Sequence, residues 1–376
     1  MNIGLIGFGS MGRTHAWAVD NIKYYYGGEL PDAKIVGVCT KNPEHAREAC
    51  ARFGFETAAQ NEDELICRND IDIIDICTPN ICHFETLKKA IAAGKHVYCE
   101  KPLCTTAAEA DEIAKLADEK GIVGRIVFNN RYLSAILRAK ALMDSGKIGR
   151  VISFRCAYLH SSCTDTAKKA GWKQNRDICG GGVLFDLGSH AIDLVYYLCG
   201  RVASVTGRSQ IAFKKRCGAD GKEWETNADE AFYMIAELES GAVGTIEASK
   251  IAVGANDDLT LEIYGTEGSL RFSLMDPNFL SFYDNSAVSG DFGGDKGFTR
   301  IECVGRYAAP AGIFPGIKAP AGWLRGHLGS MYEFLGAVKS NDRFVHPDLH
   351  DAAHIQHVME AAYESDRIGK AVLVEK

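Results

Sequence analysis

Apolar positions in the first third of the chain form short runs that alternate with amphipathic stretches. The short runs predict strands, and the stretches with apolar residues at helical spacing predict helices. We predict strands at 2–6, 34–39, 72–77, 95–99 and 122–128, and helices that include 82–93 and 107–120. Strands that are apolar on both faces and are each followed by a helix favour a doubly wound parallel sheet covered on both sides.

After residue 145 the strand-like segments follow one another, and the only strong helix among them is 183–198. The strands are predicted at 151–159, 202–213, 231–238, 244–251, 259–265, 269–273 and 279–283, after a helix at 132–145. A loop at 285–298, helices at 323–340 and 349–368 and a short strand at 371–374 follow. This order favours an α+β domain with a large, mainly antiparallel open sheet. We therefore predict an α/β Rossmann domain at 1–128 and a second domain at 129–376.

Composition and charge narrow the range of partners. Of 376 residues, 46% are hydrophobic and 24% are charged, with a net charge of -7 and no basic stripe between aromatic residues, so we expect no nucleic-acid partner. Neither a signal peptide nor an apolar run of membrane-spanning length is visible, which predicts a cytoplasmic protein without a membrane anchor. The 13 cysteines include no CxxC pair, so we expect reduced core residues and no metal site.

A glycine-rich turn follows the first strand. The segment Gly7-Phe8-Gly9-Ser10-Met11-Gly12 fits G-x-G-x-x-G and opens a helix. Such a turn avoids Cβ clashes, brings the backbone close to a pyrophosphate and directs helix amide groups at its charge. We expect dinucleotide binding here; the alternative is a purely structural glycine turn.

The choice of dinucleotide depends on the end of the second strand. An acidic residue there would bind the ribose 2′-hydroxyl, but this chain has Thr40 and Lys41, and Asp32 precedes the strand at the wrong end of the sheet. A hydroxyl followed by a lysine can accommodate a 2′-phosphate, so the sequence slightly favours NADP and leaves NAD open.

Polar residues follow the later strands, at the edge of a doubly wound sheet where ligands bind. Lys101 precedes a proline, which stiffens the backbone that aims its ammonium group, and a lysine in a partly dry site can exchange a proton with a hydroxyl. Taken alone, Lys101 is better interpreted as a surface lysine after a strand. The residues expected to line the cofactor site from these segments are Thr78, Pro79, Asn80, His83, Glu100, Lys101 and Asn129.

The helix predicted at 183–198 follows a triplet of glycines and carries Asp186, His190 and Asp193 at spacings i, i+4 and i+7. An aspartate beside a histidine raises the basicity of the imidazole and orients it, which suits removal of a hydroxyl proton. The alternative is a helix-capping aspartate and a satisfied core histidine, and for Asp193 the structural interpretation is preferred. We also expect Trp172 to contact the cofactor and His160 to contact substrate hydroxyls.

Three segments together resemble the glucose-fructose oxidoreductase, inositol dehydrogenase and rhizopine-catabolism (Gfo/Idh/MocA) family: GFGSMG, CTPNICHFETLKKAIAAGKHVYCEKP and GGGVLFDLGSHAIDL. The resemblance implies a sugar or polyol substrate, and it implies that Lys101, Asp186 and His190 meet the reacting carbinol. It also implies a homodimer or homotetramer formed through the sheet of the second domain.

The expected activity is transfer of hydride between a carbinol of a sugar, polyol or sugar derivative and C4 of the nicotinamide. Two alternatives remain open from the sequence. In one, the enzyme retains NAD and oxidises a sugar transiently to drive bond cleavage; in the other, the protein is a non-catalytic, ligand-sensing regulator.

Overall fold

The computed structural model describes residues 1–27, 30, 32–218, 221–304, 309–310, 319–320 and 322–375. The chain divides into two compact units, of which the first holds Met1–Asn129 and Leu324–Gln356 and the second holds most of the remainder. The domain boundary between residues 128 and 129 stays a prediction. Residues 324–356, which the sequence placed in the second domain, group with the first unit. Tyr98 donates a hydrogen bond to Ser330 at 2.8 Å, and Leu349 packs on Gly124, which explains this grouping.

The first unit is a six-stranded parallel sheet with strand order β3-β2-β1-β4-β5-β6, which confirms the predicted Rossmann architecture. Its strands are β1 Asn2–Ile6, β2 Lys34–Cys39, β3 Thr57–Ala59, β4 Ile73–Ile76, β5 His96–Cys99 and β6 Gly124–Ile126. Its helices are α1 Ser10–Tyr26, α2 Pro43–Phe53, α3 Glu62–Ile66, α4 His83–Ala92 and α5 Ala107–Lys120, together with α9 Trp323–Ser340 and the start of α10 Leu349–Ile368. Prediction missed β3 because three residues show no periodicity.

Local signals fix the ends of α5. Thr106 accepts from the backbone N–H of Glu109 while the Glu109 carboxylate accepts from the backbone N–H of Thr106, which is a capping box. Gly121 ends the helix in the left-handed conformation that a glycine adopts without a Cβ clash. The helix therefore spans the predicted residues 107–120.

The second unit contains a nine-stranded sheet with the order β16-β15-β14-β13-β7-β12-β11-β8-β17. Only β7 and β12 pair in parallel, so the predicted, mainly antiparallel sheet is confirmed. The strands are β7 Val151–Leu159, β8 Val202–Gln210, β11 Ala231–Leu238, β12 Val243–Ser249, β13 Asp258–Gly265, β14 Gly268–Ser273, β15 Phe279–Asp284, β16 Phe298–Glu302 and β17 Val372–Leu373. The pair β9 Lys215–Cys217 and β10 Glu223–Glu225 forms a separate hairpin. Sequence patterns missed this hairpin and β16, which are short and partly polar.

In the second unit, α6 Ser134–Asp144 precedes β7, and α7 Arg176–Cys179 and α8 Ser189–Cys199 lie between β7 and β8. The predicted single helix 183–198 is instead a π-helical turn, Leu184–Gly188, that continues into α8. The extra residue in a π turn changes the α-helical spacing from which Asp186 and His190 were expected on one face.

One helical stretch, Arg176–Cys199, is long and apolar enough to cross a membrane, but 78% of its apolar window is buried inside the protein. Core helices of globular proteins pass the same test, so this stretch is weak evidence for a membrane span. All 13 cysteines are free thiols.

Candidate active site

The glycine-rich turn has the shape that a pyrophosphate requires. Gly7 has a φ of 95°, and a Cβ on it would lie 2.4 Å from the carbonyl oxygen of Cys77. A Cβ on Gly12 would lie 2.2 Å from the carbonyl oxygen of Gly7, whereas a Cβ on Gly9 would meet open space. No side chain caps the N-terminus of α1 at Gly9, and its first turn holds no acidic residue. The free amide groups and the helix dipole therefore fit an anionic group of a dinucleotide.

The end of β2 now has a defined hydrogen-bond pattern. The hydroxyl of Thr40 donates to the carbonyl oxygen of Asn42 at 2.6 Å. Because its proton is engaged there, the hydroxyl can accept a hydrogen bond from a ligand but cannot donate one. Lys41 is exposed. Phe8 of the glycine-rich turn packs edge-on against Phe53 and Phe55, with ring centroids 5.2 and 5.5 Å apart.

His83 ties together the two loops that carry Thr78 and Lys101. Its ring is fully buried, with Nδ1 2.9 Å from the carbonyl oxygen of Pro102 and Nε2 3.0 Å from that of Thr78. Burial lowers the pKa of His83, so its neutral ring donates to one of these two carbonyl oxygens, and the tautomer decides which. The cofactor contact expected from the sequence stays a prediction. Asn80 is buried at the start of a short 3-10 turn. The hydroxyl oxygen of Thr78 is buried without a hydrogen-bond partner in the described part of the chain.

A buried cluster of charged groups that sequence reasoning missed lies beneath Lys101. The imidazole of His15, on α1, has Nδ1 2.9 Å from Asp75 and Nε2 3.1 Å from Glu100. The other carboxylate oxygen of Glu100 accepts from the backbone N–H of Lys101 at 3.1 Å. Asp75 interrupts the otherwise apolar strand β4, and that polar residue was the available signal.

The cluster supports a positive charge on His15. Burial disfavours the imidazolium, but the charge and hydrogen bonds of Asp75, with a contribution from Cys77, raise the pKa of His15 well above its usual value. Burial also opposes ionisation of Glu100, but His15 and Lys101 outweigh it and lower the pKa of Glu100 to about 2. Burial, reinforced by the charge of His15, lowers the pKa of His327 to about 3.

Two groups of side chains in the described residues could offer three metal ligands, His15 with Asp75 and Cys77, and His346 with Asp348 and Asp351. In the first group burial raises the pKa of the Cys77 thiol, which therefore stays protonated, while the imidazolium already supplies the positive charge. We interpret this group as a hydrogen-bonded ion cluster. The second group lies at the start of α10, where Asp348 accepts from the backbone N–H of Asp351 at 2.9 Å as a helix cap.

In the second unit, Asp186 lies between two lysines. Its Oδ1 accepts from Lys173 Nζ at 2.7 Å and its Oδ2 lies 2.9 Å from Lys250 Nζ. The Lys250 side chain is 6% exposed and that of Lys173 is 45% exposed. Lys250 was not found from the sequence because it directly follows β12, far along the chain from the glycine triplet.

His190 is buried at the start of α8, and its ring meets the ring of Tyr158 edge-on with centroids 5.9 Å apart. The hydroxyl of Tyr158 donates to Asp257 at 2.6 Å, and the same carboxylate oxygen lies 2.9 Å from Nε2 of His160. Burial opposes ionisation of Asp257, but these two hydrogen bonds lower its pKa. Prediction missed Tyr158 and Asp257, which the pairing of β7 with β13 brings together.

The glycine triplet is held by close backbone packing. A Cβ on Gly182 would lie 2.2 Å from the carbonyl oxygen of Asp229, so only glycine fits there. The Asp229 carboxylate accepts from the backbone N–H of Leu184 at 3.1 Å and from the hydroxyl of Tyr363 at 2.5 Å. The turn that carries Asp186 is thereby fixed from two distant parts of the chain.

Three further residues named from the sequence, Asp193, Trp172 and Asn129, lie in different parts of the structure. Asp193 forms a buried ion pair with Arg131, with Arg131 Nε 2.9 Å from Asp193 Oδ1, so its preferred structural role is supported. Trp172 begins a 3-10 turn next to Lys173. Asn129 is buried in the first unit, where its backbone carbonyl oxygen packs against Gly326.

Comparison with known proteins agrees with this geometry. The model of the oxidoreductase family with an NAD-binding Rossmann fold matches residues 1–128, and that of the GFO/IDH/MocA C-terminal domain matches residues 136–271. The chain belongs to the Gfo/Idh/MocA family. Its resemblance to that family, stated from three segments, is therefore confirmed.

Several Gfo/Idh/MocA relatives match the chain over nearly its whole length. Levoglucosan dehydrogenase of Pseudarthrobacter phenanthrenivorans is 31% identical, with 97% of this chain and 96% of the relative covered. Glucose-6-phosphate 3-dehydrogenase of Bacillus subtilis is 26% identical, with the same two shares covered. A levoglucosan dehydrogenase structure in complex with NADH and levoglucosan matches with a TM-score of 0.94 and 30% identity, and it covers all of both chains.

These relatives make this member of the Gfo/Idh/MocA family an NAD(P)-dependent oxidoreductase that acts on CH–OH groups of sugars or polyols. The predicted activity is confirmed at this level, and neither the bond-cleaving enzyme nor the regulator is favoured. Binding of NAD by the Rossmann unit is supported, whereas the slight preference for NADP is not.

Proposed function

We propose that the protein is an NAD-dependent dehydrogenase of an anhydrosugar or a closely related pyranose, in which Lys101, Asp186 and His190 contact the substrate. The observation that carries the substrate class is the match, over almost the full length of both chains, to a protein named levoglucosan dehydrogenase. The three side chains come from two of the three segments that carry the family resemblance.

Each side chain has one role in this proposal. Bound NAD supplies the hydride acceptor. His190 takes the proton of the reacting hydroxyl, and Lys101 donates a hydrogen bond to the same oxygen and stabilises the negative charge that develops there. Asp186 accepts a hydrogen bond from a substrate hydroxyl and orients the ring, and His160 binds a further hydroxyl.

The cofactor site is proposed from the first unit and one aromatic residue of the second. Gly7, Phe8, Gly9, Ser10 and Met11 would hold the pyrophosphate against the N-terminus of α1. We propose that the dinucleotide is also contacted by Thr78, Pro79, Asn80, Glu100, Lys101 and Asn129, and that Trp172 contacts it as well. We assign His83 to holding the Thr78 and Lys101 loops.

The preference for NAD over NADP is supported by the hydrogen bond of Thr40. Because its proton is engaged by the carbonyl oxygen of Asn42, the hydroxyl can accept from a ribose 2′-hydroxyl but cannot donate to a 2′-phosphate. Lys41 is the residue that could favour NADP, and as an exposed lysine it forms at most a solvent-screened contact.

Formation of NADH and NADPH should be followed with levoglucosan, inositols and aldoses, and consumption of NADH and NADPH with the 3-keto forms. We expect turnover of levoglucosan with NAD and a lower kcat/KM with NADP. Turnover of an inositol alone would show that the substrate is a polyol and not an anhydrosugar. A higher kcat/KM with NADP would contradict the preference for NAD that we infer from Thr40. Absence of hydride transfer from every member of the panel would contradict the proposed substrate class.

Two glycines provide a matched test of cofactor binding. In Gly9→Ala the new Cβ meets open space, so the fold should persist while NADH affinity falls by about tenfold, equivalent to ~1.4 kcal/mol. In Gly12→Ala the Cβ would clash with the backbone of Gly7, so thermal stability should fall as well. Unchanged NADH affinity in Gly9→Ala would contradict pyrophosphate binding at this turn.

We also propose a homo-oligomer formed through the solvent-exposed face of the large sheet. On β11 the side chains of Tyr233 and Ile235 are 45% and 55% exposed, and Val243 on the neighbouring strand β12 is 47% exposed. An exposed apolar patch of this kind is typical of an interface between subunits. Light scattering should give a dimer or tetramer mass that Ile235→Asp reduces; a monomeric wild type would contradict the proposal.

A cytoplasmic location is proposed as well. It is supported by 13 free thiols, since secreted chains with many cysteines usually form disulfides.

A further inference from the structure

We infer that Lys250 is a positioning residue of the proposed active site: its buried ammonium group fixes the Asp186 carboxylate as an anion that accepts hydrogen bonds and does not take protons. This inference rests on the proposed role of Asp186 in the reaction. It assigns proton removal to His190 and leaves Asp186 to bind and orient the substrate.

The backbone of Lys250 is held on both sides. Its N–H donates to the carbonyl oxygen of Glu230 at 2.8 Å, and its own carbonyl oxygen accepts from the N–H of Cys163 at 2.9 Å. The ammonium nitrogen lies 2.9 Å from Oδ2 of Asp186, and the side chain is 6% exposed. A lysine fixed at its backbone and at its ammonium group defines the position of the carboxylate that it contacts.

The second lysine beside Asp186, Lys173, is much more exposed to solvent than Lys250. Lys173 Nζ lies 2.7 Å from Oδ1, but its side chain is 45% exposed and it belongs to the connection between β7 and α7. An ion pair with an exposed partner is screened by solvent and contributes little, whereas a buried ion pair is costly to break. Lys250 is therefore the partner that holds the Asp186 carboxylate.

Several titratable groups surround this pair. Asp186 faces Lys173, Lys250, Tyr158 and Cys179, and Lys250 also faces Cys163 and Asp229. Burial disfavours the ammonium form of Lys250, but the charge and hydrogen bond of Asp186 outweigh it and raise the pKa of Lys250. Lys250 is therefore charged near neutral pH, and a carboxylate held by ammonium groups is a poor proton acceptor.

A buried ion pair is seldom explained by stability, because well-packed apolar residues in its place are often as stable. Lys250 also contacts Asp186, the first of the two acidic residues in the motif that carries the family resemblance in this unit. A fixed anion at that position would orient a substrate hydroxyl without competing with His190 for the proton, and this is the function that we assign to the pair.

The kinetic test compares wild type with Lys250→Met, Lys250→Arg and the matched control Lys173→Met, with levoglucosan and NAD as probes over pH 5 to 10 (roughly the range in which histidine and lysine titrate). We expect the acidic limb of kcat/KM to move up by about one to two pH units in Lys250→Met, with KM affected more than kcat. Lys250→Arg should keep the wild-type limb, and Lys173→Met should shift it by less than ~0.5 unit. A folded Lys250→Met with the wild-type limb and KM would overturn the inference.

A stability cycle tests the same pair without any substrate. Thermal unfolding is measured for wild type, Lys250→Met, Asp186→Asn and the double variant. We expect the double variant to melt at a higher temperature than Lys250→Met, or to fold where Lys250→Met does not, because it removes the carboxylate charge that has lost its buried partner. A double variant no more stable than Lys250→Met would contradict the charge coupling. The cycle decides this inference even if the substrate panel shows no hydride transfer, so the two proposals fail separately.

Discussion

The two units of the chain each hold a row of three charged groups, with opposite signs at the centre. In the first unit a histidine cation, His15, lies between the carboxylates of Asp75 and Glu100. In the second unit a carboxylate, Asp186, lies between the ammonium groups of Lys173 and Lys250. No side chain of the first row is more than 9% exposed, whereas one outer member of the second row, Lys173, is 45% exposed.

The difference in exposure indicates a structural role for the first row and a ligand-binding role for the second. We call Asp75, His15 and Glu100 the sealed row, and Lys173, Asp186 and Lys250 the half-open row. Removal of the central His15 would take the shared cation away from two buried carboxylates, and Glu100 also accepts from the backbone N–H of Lys101, so that row fixes the backbone beneath Lys101. In the second row the exposed lysine can be replaced by water or by a polar ligand at small cost, while Lys250 keeps the carboxylate in place. The sealed row therefore positions Lys101, whereas in the half-open row Asp186 can exchange Lys173 for another partner.

The largest effect is expected when the sealed row loses its central cation. His15→Ala removes the imidazolium that pairs with the buried carboxylates of Asp75 and Glu100 and leaves only the charge of Lys101 near Glu100, which should cost about 3–5 kcal/mol of unfolding free energy. Urea unfolding of the first unit, followed by a probe within it, measures the loss.

His83→Ala is the matched control for His15→Ala. His83 is equally buried in the same unit, but its ring nitrogens meet carbonyl oxygens and no carboxylate. We expect a loss of roughly 1–3 kcal/mol for that variant. Equal losses in the two histidine variants would show that the charges of the sealed row contribute nothing beyond burial.

A smaller effect should appear in acid. The pKa of Glu100 is lowered from 4.5 to about 2 in the folded protein, so its stabilising contribution is complete above pH 4.5 and is lost as the pH falls toward about 2. The melting-temperature advantage of wild type over Glu100→Gln should therefore be largest near neutral pH and should shrink below pH 4.5. An advantage that is constant from neutral pH down to pH 3 (roughly midway through that titration) would contradict the ionised state of Glu100.

The smallest effect on stability is expected for Lys173, the exposed member of the half-open row. Lys173→Met should change the unfolding free energy by less than ~1 kcal/mol, because the Lys173 side chain is 45% exposed. Urea unfolding monitored within the second unit checks this value. A loss as large as that of His15→Ala would remove the distinction between the two rows.

Local patterns in the sequence were sufficient for most of the fold. Buried strands such as Asn2–Ile6 and Lys34–Cys39 are long and apolar, and α5 has a capping box and a terminal glycine, so their bounds follow from neighbouring residues. Strands of three residues give no such signal. The π-helical turn at Leu184–Gly188 was not predictable because it results from packing of the glycine triplet against Asp229 and Tyr363.

The partners of the proposed site residues could not be read from the sequence for the same reason. Lys101, Asp186 and His190 stood out through motif and spacing. Lys250 and Asp257 are brought to Asp186 and Tyr158 by pairing of strands that are distant in the chain. The role of Glu100 as a partner of His15 likewise depends on the parallel register of β4 and β5.

The most direct test of the central claim measures turnover and cofactor binding together in Lys101→Met and His190→Ala. Initial rates are followed by NADH formation with levoglucosan, and the Kd of NADH is measured by fluorescence on the same preparations. We predict that turnover falls by about 10²–10⁴-fold in each variant, while the Kd of NADH stays within a few-fold of wild type. Wild-type turnover in both variants would contradict the assignment of these two residues to proton transfer and oxygen polarisation.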